Sequence, residues 1–259
     1  MLRPRITPCL LVHNGGLVKT TGFDKPKYVG DPLNAVRIFN EKQVDELMVI
    51  DIDATRLGRE PDYALVKNLA AECRMPLSYG GGVKSAEQLQ HIIGLGVEKV
   101  AISSSAVADP ELIRLGAERV GGQSIAVVLD YRLQTPGSWK LSTHNGQKAT
   151  GLDAVEFAML AEQMGAGEII LNSIDRDGLM TGYDLDLVSA VRAAVNLPIT
   201  VLGGAGSHAD IGTLFSQFGT IGAAAGSLFV FKGKYRAVLI NYPTFEEKEN
   251  LAKLATFGS

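Results

Sequence analysis

The feature that most constrains this sequence is a regular alternation of short apolar runs with longer amphipathic stretches, which continues through nearly the whole chain. Short runs rich in β-branched residues are typical of parallel strands buried on both faces, and the amphipathic stretches have the length of helices. The predicted strands are residues 5–11, 46–52, 76–79, 99–103, 124–130, 168–172, 198–202 and 220–225. Eight such units predict an α/β fold, a single closed (βα)8 TIM barrel, which typically has about 250 residues.

Composition agrees with one globular domain and excludes several functional classes. Hydrophobic residues make up 46% of the 259 residues and charged residues 20%, which supplies enough apolar side chain for a large core. The net charge is −3 and no basic block is present, so neither nucleic acid nor a membrane is predicted as a partner. The longest uncharged apolar run, residues 221–231, is too short to span a bilayer.

The cysteines and histidines predict neither a disulfide framework nor a metal site. Only Cys9 and Cys73 are present, which suits a reducing cytoplasm, and no targeting signal precedes the first predicted strand. The four histidines lack the spacing of metal ligands: His13, His91, His144 and His208. We therefore expect a cytoplasmic protein with no metal and no cofactor.

Two connections that follow predicted strands are unusually long. Residues 132–151 contain Trp139 in a strand-like run and an Asn145-Gly146 turn, which predict a small hairpin after the fifth strand. Residues 12–30 are rich in glycine, and we expect them to form a mobile loop over the mouth of the barrel. Active sites of such barrels lie at the carboxyl ends of the strands, so both connections belong to the functional face.

An internal repeat divides the chain into two halves. The cluster Gly80-Gly81-Gly82 returns about 122 residues later as Gly203-Gly204-Ala205, and other strand ends correspond at the same offset. We therefore predict half-barrels of roughly residues 1–120 and 121–240, followed by a C-terminal helical tail. No linker of distinct composition separates the halves, so residues 1–259 are predicted to form one domain.

The two glycine clusters are candidate phosphate sites. Glycine after a strand lets backbone N–H groups approach an anion without a Cβ in the way, although turn geometry alone could explain either cluster. Each cluster is followed one strand later by small residues that could also bind an anion, Ser103-Ser104 and Gly226-Ser227. Two opposite sites predict a ligand with a phosphate at each end. Valine at Gly82 or Gly204 is expected to weaken its binding without unfolding the chain.

Carboxylates end several predicted strands at the mouth of the barrel. Asp130 ends the fifth strand and is predicted to act as a general acid or base, with a capping role as the alternative. Asp175 and Asp177 flank an arginine after the sixth strand, where ligand binding, favoured for Asp177, competes with a salt-bridged turn. Asp51 and Asp53 could contact a ligand or brace the mouth. The predicted ligand-binding residues are Gly81, Gly82, Ser103, Ser104, Asp177, Gly178, Gly203, Gly204, Gly226 and Ser227.

Four charged residues stand at the opposite ends of predicted strands. They are Arg5, Glu46, Lys99 and Glu168. A single charge at a strand start is normally a solvated rim residue. Four charges of alternating sign on one rim could instead close into a ring across the barrel floor.

Several motifs stand in order along the chain. They are Arg5-Ile6-Thr7-Pro8-Cys9-Leu10, Val18-Lys19, Gly30-Asp31-Pro32, Asp45-Glu46-Leu47, Gly80-Gly81-Gly82, Asp130, Ser173-Ile174-Asp175-Arg176-Asp177-Gly178 and Gly203-Gly204-Ala205-Gly206. From its first residues to about Phe231, the chain resembles the cyclase subunit of imidazole glycerol phosphate synthase, the HisF family. Taken together, the motifs are highly specific for this family.

The resemblance implies a barrel with a glutaminase subunit (HisH-like) docked at its N-terminal face. Ammonia is then expected to cross the barrel to a phosphorylated small-molecule ligand, a bisphosphate ribonucleotide, at the other face. The resemblance makes the four charged rim residues an ammonia gate and both glycine clusters, with the serines after them, a double phosphate site. Asp130 falls on a catalytic carboxylate of the family, and Lys19 is predicted to join it by helping to hold the ligand.

The sequence departs from the family pattern between the phosphate anchors. The family's other catalytic aspartate falls on Leu11, which cannot transfer a proton. Where the family has an asparagine–threonine pair, this chain has Ser103-Ser104. Asn172 stands in place of the family's threonine, and Leu202 stands in place of its serine. Residues 25–32 and 34–42 resemble instead the paralogues found with surface-polysaccharide genes. Those paralogues supply ammonia to a separate sugar amidotransferase that builds an acetamidino group.

Two functions of different classes follow. As an ammonia-supplying partner, which Leu11 favours, the chain activates a glutaminase and passes ammonia to another enzyme. As an enzyme, which the intact anion sites favour, it adds ammonia to a bisphosphate and closes a ring, making imidazole glycerol phosphate and AICAR from PRFAR in histidine biosynthesis. A single-chain phosphosugar isomerase is a third alternative that the four charged rim residues disfavour.

Overall fold

The computed structural model describes residues 3–255, so Met1, Leu2 and residues 256–259 of the predicted domain lie outside the described residues. The first half contains β1 (Arg5–His13), β2 (Gly16–Thr21), β3 (Asp24–Gly30), α1 (Pro32–Glu41), β4 (Leu47–Asp51), α2 (Tyr63–Glu72), β5 (Leu77–Gly80), α3 (Ala86–Gly94), β6 (Lys99–Ile102), α4 (Ser104–Ala108) and α5 (Glu111–Val120). The second half contains β7 (Ile125–Thr135), β8 (Ser138–Thr143), β9 (Lys148–Asp153), α6 (Ala154–Gln163), β10 (Glu168–Ser173), α7 (Leu185–Ala194), β11 (Ile199–Leu202), α8 (His208–Phe218), β12 (Gly222–Ala225) and α9 (Ser227–Val230). The tail contains β13 (Phe231–Lys232), β14 (Ala237–Val238) and α10 (Phe245–Leu254).

Eight parallel strands close into a barrel. β1 pairs with β4, and the order continues through β5, β6, β7, β10, β11 and β12, which pairs back with β1. Residues 125–129 of β7 are buried on both faces, because helices cover the outside and side chains fill the inside. The predicted strands differ from the observed ones by only a few residues, and the α/β barrel with its two-fold repeat is confirmed.

Capping residues set the starts of the helices. Asp31 and Ser85 each accept a hydrogen bond from the backbone in the first turns of α1 and α3. Ser207 and Asp210 form a capping box at the start of α8. These side chains satisfy N–H groups that a first helical turn leaves without partners. Each βα loop therefore ends at a defined residue, which fixes the loops around the barrel mouth.

Both halves carry an antiparallel extension of their first barrel strand. β1 continues into β2 and β3, and β7 continues into β8 and β9. The hairpin predicted in residues 132–151 is confirmed. The expectation that residues 12–30 form a mobile loop is wrong, because this segment forms a hydrogen-bonded hairpin. Leu17 and Val18 are buried where β2 pairs with β1. These two consecutive apolar side chains were the signal in the sequence that could have predicted a strand here.

The C-terminal tail packs against the N-terminal side of the barrel. Tyr242 Oη donates to Ile6 O at 2.7 Å and accepts from Asp45 N at 3.2 Å. Lys248 on α10 lies 2.8 Å from Asp45 Oδ1. The tail thereby holds the starts of β1 and β4 together. Among residues 3–255, the structure contains no helix with the length and apolar character needed to cross a membrane.

Candidate functional site

The four charged residues at the strand starts meet in a closed ring across the barrel floor. Lys99 Nζ lies 2.9 Å from Glu46 Oε1 and 2.7 Å from Glu168 Oε2. Arg5 completes the ring, with Nη2 2.9 Å from Glu168 Oε1 and Nη1 3.6 Å from Glu46 Oε2. Each cation thus contacts both carboxylates, so the charges alternate around the ring.

Neutral donors complete the hydrogen bonding of this charged ring. Ser78 Oγ donates to Glu46 at 2.8 Å, and Thr200 Oγ1 donates to Glu168 at 2.5 Å. Buried charges are costly unless they are paired and hydrogen bonded, and both conditions are met here. Three ring members are buried, whereas the side chain of Arg5 is 35% exposed. Arg5 is therefore the ring member that is accessible from the N-terminal side.

An apolar layer lies inside the barrel between the charged ring and the opposite end. Its buried residues are Cys9, Met48, Ala101, Ala126, Val128 and Ile170. Leu11, Ile50 and Leu202 pack against this layer and also line the pocket at the other end. Burial raises the pKa of Cys9 to about 12, so its side chain is a neutral thiol near neutral pH. The layer between ring and pocket is therefore lined mainly by apolar side chains.

A pocket opens at the C-terminal face, where the barrel strands end. Its empty volume is about 1190 Å³, which includes the open space at the mouth. Every residue predicted to bind ligand or to act in catalysis lines it: Lys19, Gly81, Gly82, Ser103, Ser104, Asp130, Asp177, Gly178, Gly203, Gly204, Gly226 and Ser227. The structure thus gathers residues from both halves of the chain around one cavity.

Asp130 stands at the pocket with both carboxylate oxygens hydrogen bonded. Ser103 Oγ donates to Oδ2 at 2.8 Å, and Asn172 Nδ2 donates to Oδ1 at 2.7 Å. Burial raises the pKa of Asp130 to about 6, although these two hydrogen bonds favour the ionised carboxylate. A carboxyl group with this pKa can accept or donate a proton near neutral pH. Sequence reasoning missed Asn172 as a site residue, although it is the register partner of Asp130 on the neighbouring strand.

Lys19 and Asp177 form a buried ion pair in the same pocket. Lys19 Nζ lies 2.5 Å from Asp177 Oδ1, and Lys19 is 6% exposed. Asp177 Oδ2 also accepts hydrogen bonds from Thr20 Oγ1 at 2.7 Å and from Phe23 N at 3.2 Å. One carboxylate after β10 therefore fixes the β2–β3 hairpin over the pocket and compensates the charge of Lys19.

Backbone packing requires the glycines of both clusters. Gly81 and Gly204 have φ angles of +116° and +111°, which other residues rarely adopt. A Cβ at Gly204 would collide with Gly182 O, and a Cβ at Gly82 would lie 2.8 Å from Ala54 Cβ. The expectation that valine at Gly82 or Gly204 would leave the fold intact is therefore wrong, because either substitution forces neighbouring loops apart.

The other predicted carboxylates brace the loops around the pocket. Asp51 Oδ1 accepts from Asp53 N at 2.8 Å, and Asp53 Oδ2 accepts from Asn14 N at 2.8 Å. Asp51 also lines the pocket. Asp175 is exposed and lies 2.8 Å from Arg132 Nη1, which is the salt-bridged turn given above as the alternative to ligand binding. Only Asp51 of these three carboxylates combines a bracing contact with a place in the pocket wall.

The two serines predicted at phosphate sites have different partners. Ser104 Oγ accepts from His144 N at 3.0 Å, whereas Ser227 Oγ accepts from Arg236 Nη2 at 3.1 Å. Asn145, beside His144 in the turn between β8 and β9, lines the pocket. Sequence reasoning missed His144, Asn145 and Arg236, because no local motif marks them: His144 lies 40 residues from Ser104, and Arg236 reaches Ser227 through a turn.

Comparison with known proteins decides the family. Residues 5–236 match the profile of the family described as "Histidine biosynthesis protein". The chain is 56% identical to "Putative imidazole glycerol phosphate synthase subunit hisF3" of Vibrio vulnificus (strain YJ016), over 98% of each chain. The chain belongs to the HisF family. It is also 50% identical to "Putative imidazole glycerol phosphate synthase subunit hisF2" of Pseudomonas aeruginosa, over 94% of this chain and 97% of that one.

Another HisF relative is more distant. Imidazole glycerol phosphate synthase subunit HisF of Hyphomonas neptunium (strain ATCC 15444) is 44% identical over 89% of this chain and 91% of that one.

Within this HisF-type barrel, β1 and β7 stand on opposite sides, because three strands separate them in each direction. Leu11 on β1 therefore lies across the pocket from Asp130 on β7. The pocket has a carboxyl group on one side and an apolar wall on the other.

Proposed function

We propose that this HisF-type subunit takes ammonia from a glutaminase docked at the N-terminal face of its barrel and delivers it to the C-terminal pocket. There, the pocket binds a phosphorylated small molecule, and the ammonia passes to a separate sugar amidotransferase that builds an acetamidino group for surface polysaccharide. The observation that carries the proposal is the succession of charged ring, apolar layer and ligand pocket through one barrel.

The charged ring suits a gate for a small neutral molecule. Ammonium would lose its hydration in the apolar layer above the ring, whereas neutral ammonia crosses such a layer at far lower cost. The closed ring blocks the path, so a member must move for ammonia to enter. Arg5 is the partly exposed member and makes the longest contact of the ring, 3.6 Å to Glu46, so a docked glutaminase would displace it most easily.

The two glycine clusters support a ligand with two phosphates. Gly81, Gly82, Gly203 and Gly204 all have positive φ angles and line the pocket, so both clusters share a backbone conformation that favours glycine and place it beside the ligand. A serine from the following strand end stands beside each cluster in the pocket wall. The doubled anion site follows from the doubled half-barrel, and a bisphosphate ligand matches it.

The apolar side of the pocket favours ammonia supply over ring closure. Cyclisation requires proton transfers at more than one atom, and Leu11 and Leu202 can make none. Both side chains line the pocket opposite or beside the ligand-binding groups.

Asp130 favours a second function, the cyclase reaction of histidine biosynthesis. Its pKa of about 6 suits a general acid or base, and its carboxylate faces the same pocket as the anion sites. In this alternative, Asp130 alone would serve proton transfers that two carboxylates usually share, with Lys19 holding the ligand.

One experiment separates the two functions. A HisH-like glutaminase is mixed with this chain, and glutamine hydrolysis is measured together with turnover of the histidine-pathway ribonucleotide. Stimulated hydrolysis without ribonucleotide turnover supports ammonia supply, whereas turnover at an ordinary HisF rate assigns the chain to histidine biosynthesis. Hydrolysis that this chain leaves unchanged would contradict the glutaminase partner itself.

Ring variants test the gate in the same assay. Lys99→Ala and the milder Arg5→Ala should lower the amount of product formed per glutamine consumed. Arg114→Ala is the matched control, because Arg114 forms only exposed ion pairs with Glu111 and Glu118 on α5. A ratio equal to wild type in both ring variants would refute the gate while leaving the docked partner in place.

A further inference from the structure

The charged side chains that line the pocket do not suit a bisphosphate by themselves. They are Lys19, Asp51, Asp130 and Asp177. The single cation among them is already paired with Asp177 at 2.5 Å. A ligand with two phosphates therefore meets more negative than positive charge in the pocket wall. Backbone N–H groups offset part of this repulsion, and a cation from outside the wall would offset the rest.

Arg236 is the cation that the fold brings to this pocket. Its Nη2 donates to Ser227 Oγ at 3.1 Å, and Ser227 lines the pocket. The guanidinium lies 4.9 Å from the centre of the Phe231 ring, and Lys27 Nζ donates to Arg236 O at 3.1 Å. Within residues 3–255, no carboxylate lies within 4.0 Å of this guanidinium, so its charge is uncompensated.

The backbone of Arg236 is in a conformation that an arginine does not favour. Its φ angle is +51°, in the left-handed region, and its N–H donates to Gly233 O at 3.0 Å in the turn between β13 and β14. Glycine or asparagine would adopt this conformation at lower cost. The turn therefore does not explain an arginine at this position, whereas the hydrogen bond of its side chain to Ser227 does.

We propose that Arg236 is an anion-binding residue of the pocket, which holds the phosphate at the Ser227 end of the ligand. The Ser104 end receives a neutral backbone donor, His144 N, at the equivalent place. The two ends of the pocket are consequently unequal, and the Ser227 end binds its phosphate more tightly than the Ser104 end. This inference rests on the phosphate ligand in the proposed function.

Calorimetric titration of the whole chain with inorganic phosphate tests the assignment. Wild type should bind phosphate at two sites of unequal affinity. Arg236→Gln should weaken the tighter site by about 10- to 100-fold, the usual effect of losing a charged hydrogen bond, and leave the weaker site unchanged. Arg236→Lys should recover part of the affinity, because a point charge replaces the two-pronged guanidinium.

Two control variants keep the result interpretable. Lys234→Gln removes a cation of the same turn, whose Nζ lies 4.9 Å from the centre of the Tyr235 ring, and it should bind phosphate as wild type does. Arg236→Gly relieves the left-handed backbone, so it should lose the tighter site while its melting temperature stays equal or rises. Wild-type binding in Arg236→Gln would overturn the role of Arg236 alone. Absence of phosphate binding in wild type would overturn the phosphate ligand of the proposed function as well.

Discussion

Lys19 Nζ lies 2.5 Å from Asp177 Oδ1, and this contact joins the hairpin of the first half-barrel to a loop of the second. A reciprocal contact joins the second hairpin to the first half, since Asn145 Nδ2 donates to Ile52 O at 2.6 Å. Each half therefore places its hairpin on the loops of the other half. The pocket mouth is therefore held by contacts between the halves.

The Lys19–Asp177 pair should couple strongly in a double-mutant cycle. Asp177→Asn leaves a buried ammonium group without a carboxylate and should cost about 3–5 kcal/mol of unfolding free energy. Adding Lys19→Met should cost at least about 1 kcal/mol less than the sum of the two single changes. Urea denaturation measures all four chains. Arg132→Gln, which breaks an exposed pair with Asp175, is the control and should cost at most about 1 kcal/mol; additive single effects at Lys19 and Asp177 would contradict the coupling.

Leu11 should limit proton transfer in the pocket. Given free ammonia and the histidine-pathway ribonucleotide, wild type should turn over about 10²–10⁴-fold more slowly than an ordinary HisF, because one positioned acid or base is missing. Leu11→Asp should recover part of that loss, whereas Leu11→Asn, which is polar but cannot ionise, should not. Steady-state kinetics with all three chains check this expectation. Equal rates for the Asp and Asn variants would show that the carboxyl group at position 11 is not what is missing.

Lys99 should matter more for stability than Arg5. Lys99→Ala leaves the buried carboxylates of Glu46 and Glu168 with one cation, and it should cost about 3–5 kcal/mol. Arg5→Ala should cost about 1 kcal/mol, because Arg5 is partly exposed and Lys99 still bridges both carboxylates. Chemical denaturation at neutral pH measures both values. The reverse order would mean that the ring depends on its exposed member.

Asp130 should make the protein less stable as the pH rises through about 6. Burial raises the folded-state pKa above the unfolded value, so the favourable contribution is complete below about pH 4 and is lost as the carboxyl group ionises in the fold. The unfolding free energy of Asp130→Asn minus that of wild type should therefore rise by on the order of 1–3 kcal/mol between pH 4 and pH 8. Urea titrations at the two pH values measure this change. A stability difference that is independent of pH would show that Asp130 titrates normally.

The glycine cluster of the second half should be intolerant of any side chain. Gly204→Ala places a methyl group against Gly182 O at a φ angle of +111°, and it should cost about 2 kcal/mol or more. Gly94→Ala is the matched control, because a Cβ at this exposed helical position meets open space and should stabilise the chain by about 0.5–1 kcal/mol. Thermal unfolding compares the two variants. A harmless Gly204→Ala would mean that the loop at Gly182 can move aside.

Much of the site is predictable from the sequence because its parts repeat at strand ends. Glycine clusters and serines at matching places in both halves indicate the same loop twice, and the parallel order of the strands brings both loops to one face. The backbone contacts of Gly204 and the hydrogen bonds between Asp130 and Asn172 are not local in sequence. They depend on strand register and loop contact, which no single segment encodes.

The sequence by itself determined the barrel, since apolar periodicity and capping residues act within each βα segment and repeat eight times. Tertiary structure decided three further properties. Barrel closure joined Arg5 and Lys99 to two glutamates in one ring. Burial beside the pocket raised the pKa of Asp130 to about 6. Packing of the tail brought Arg236 to Ser227. The ring and the surroundings of Asp130 depend on segments far apart in the chain, which only the closed fold brings into contact, whereas Arg236 lies nine residues from Ser227 and reaches it through the turn between β13 and β14.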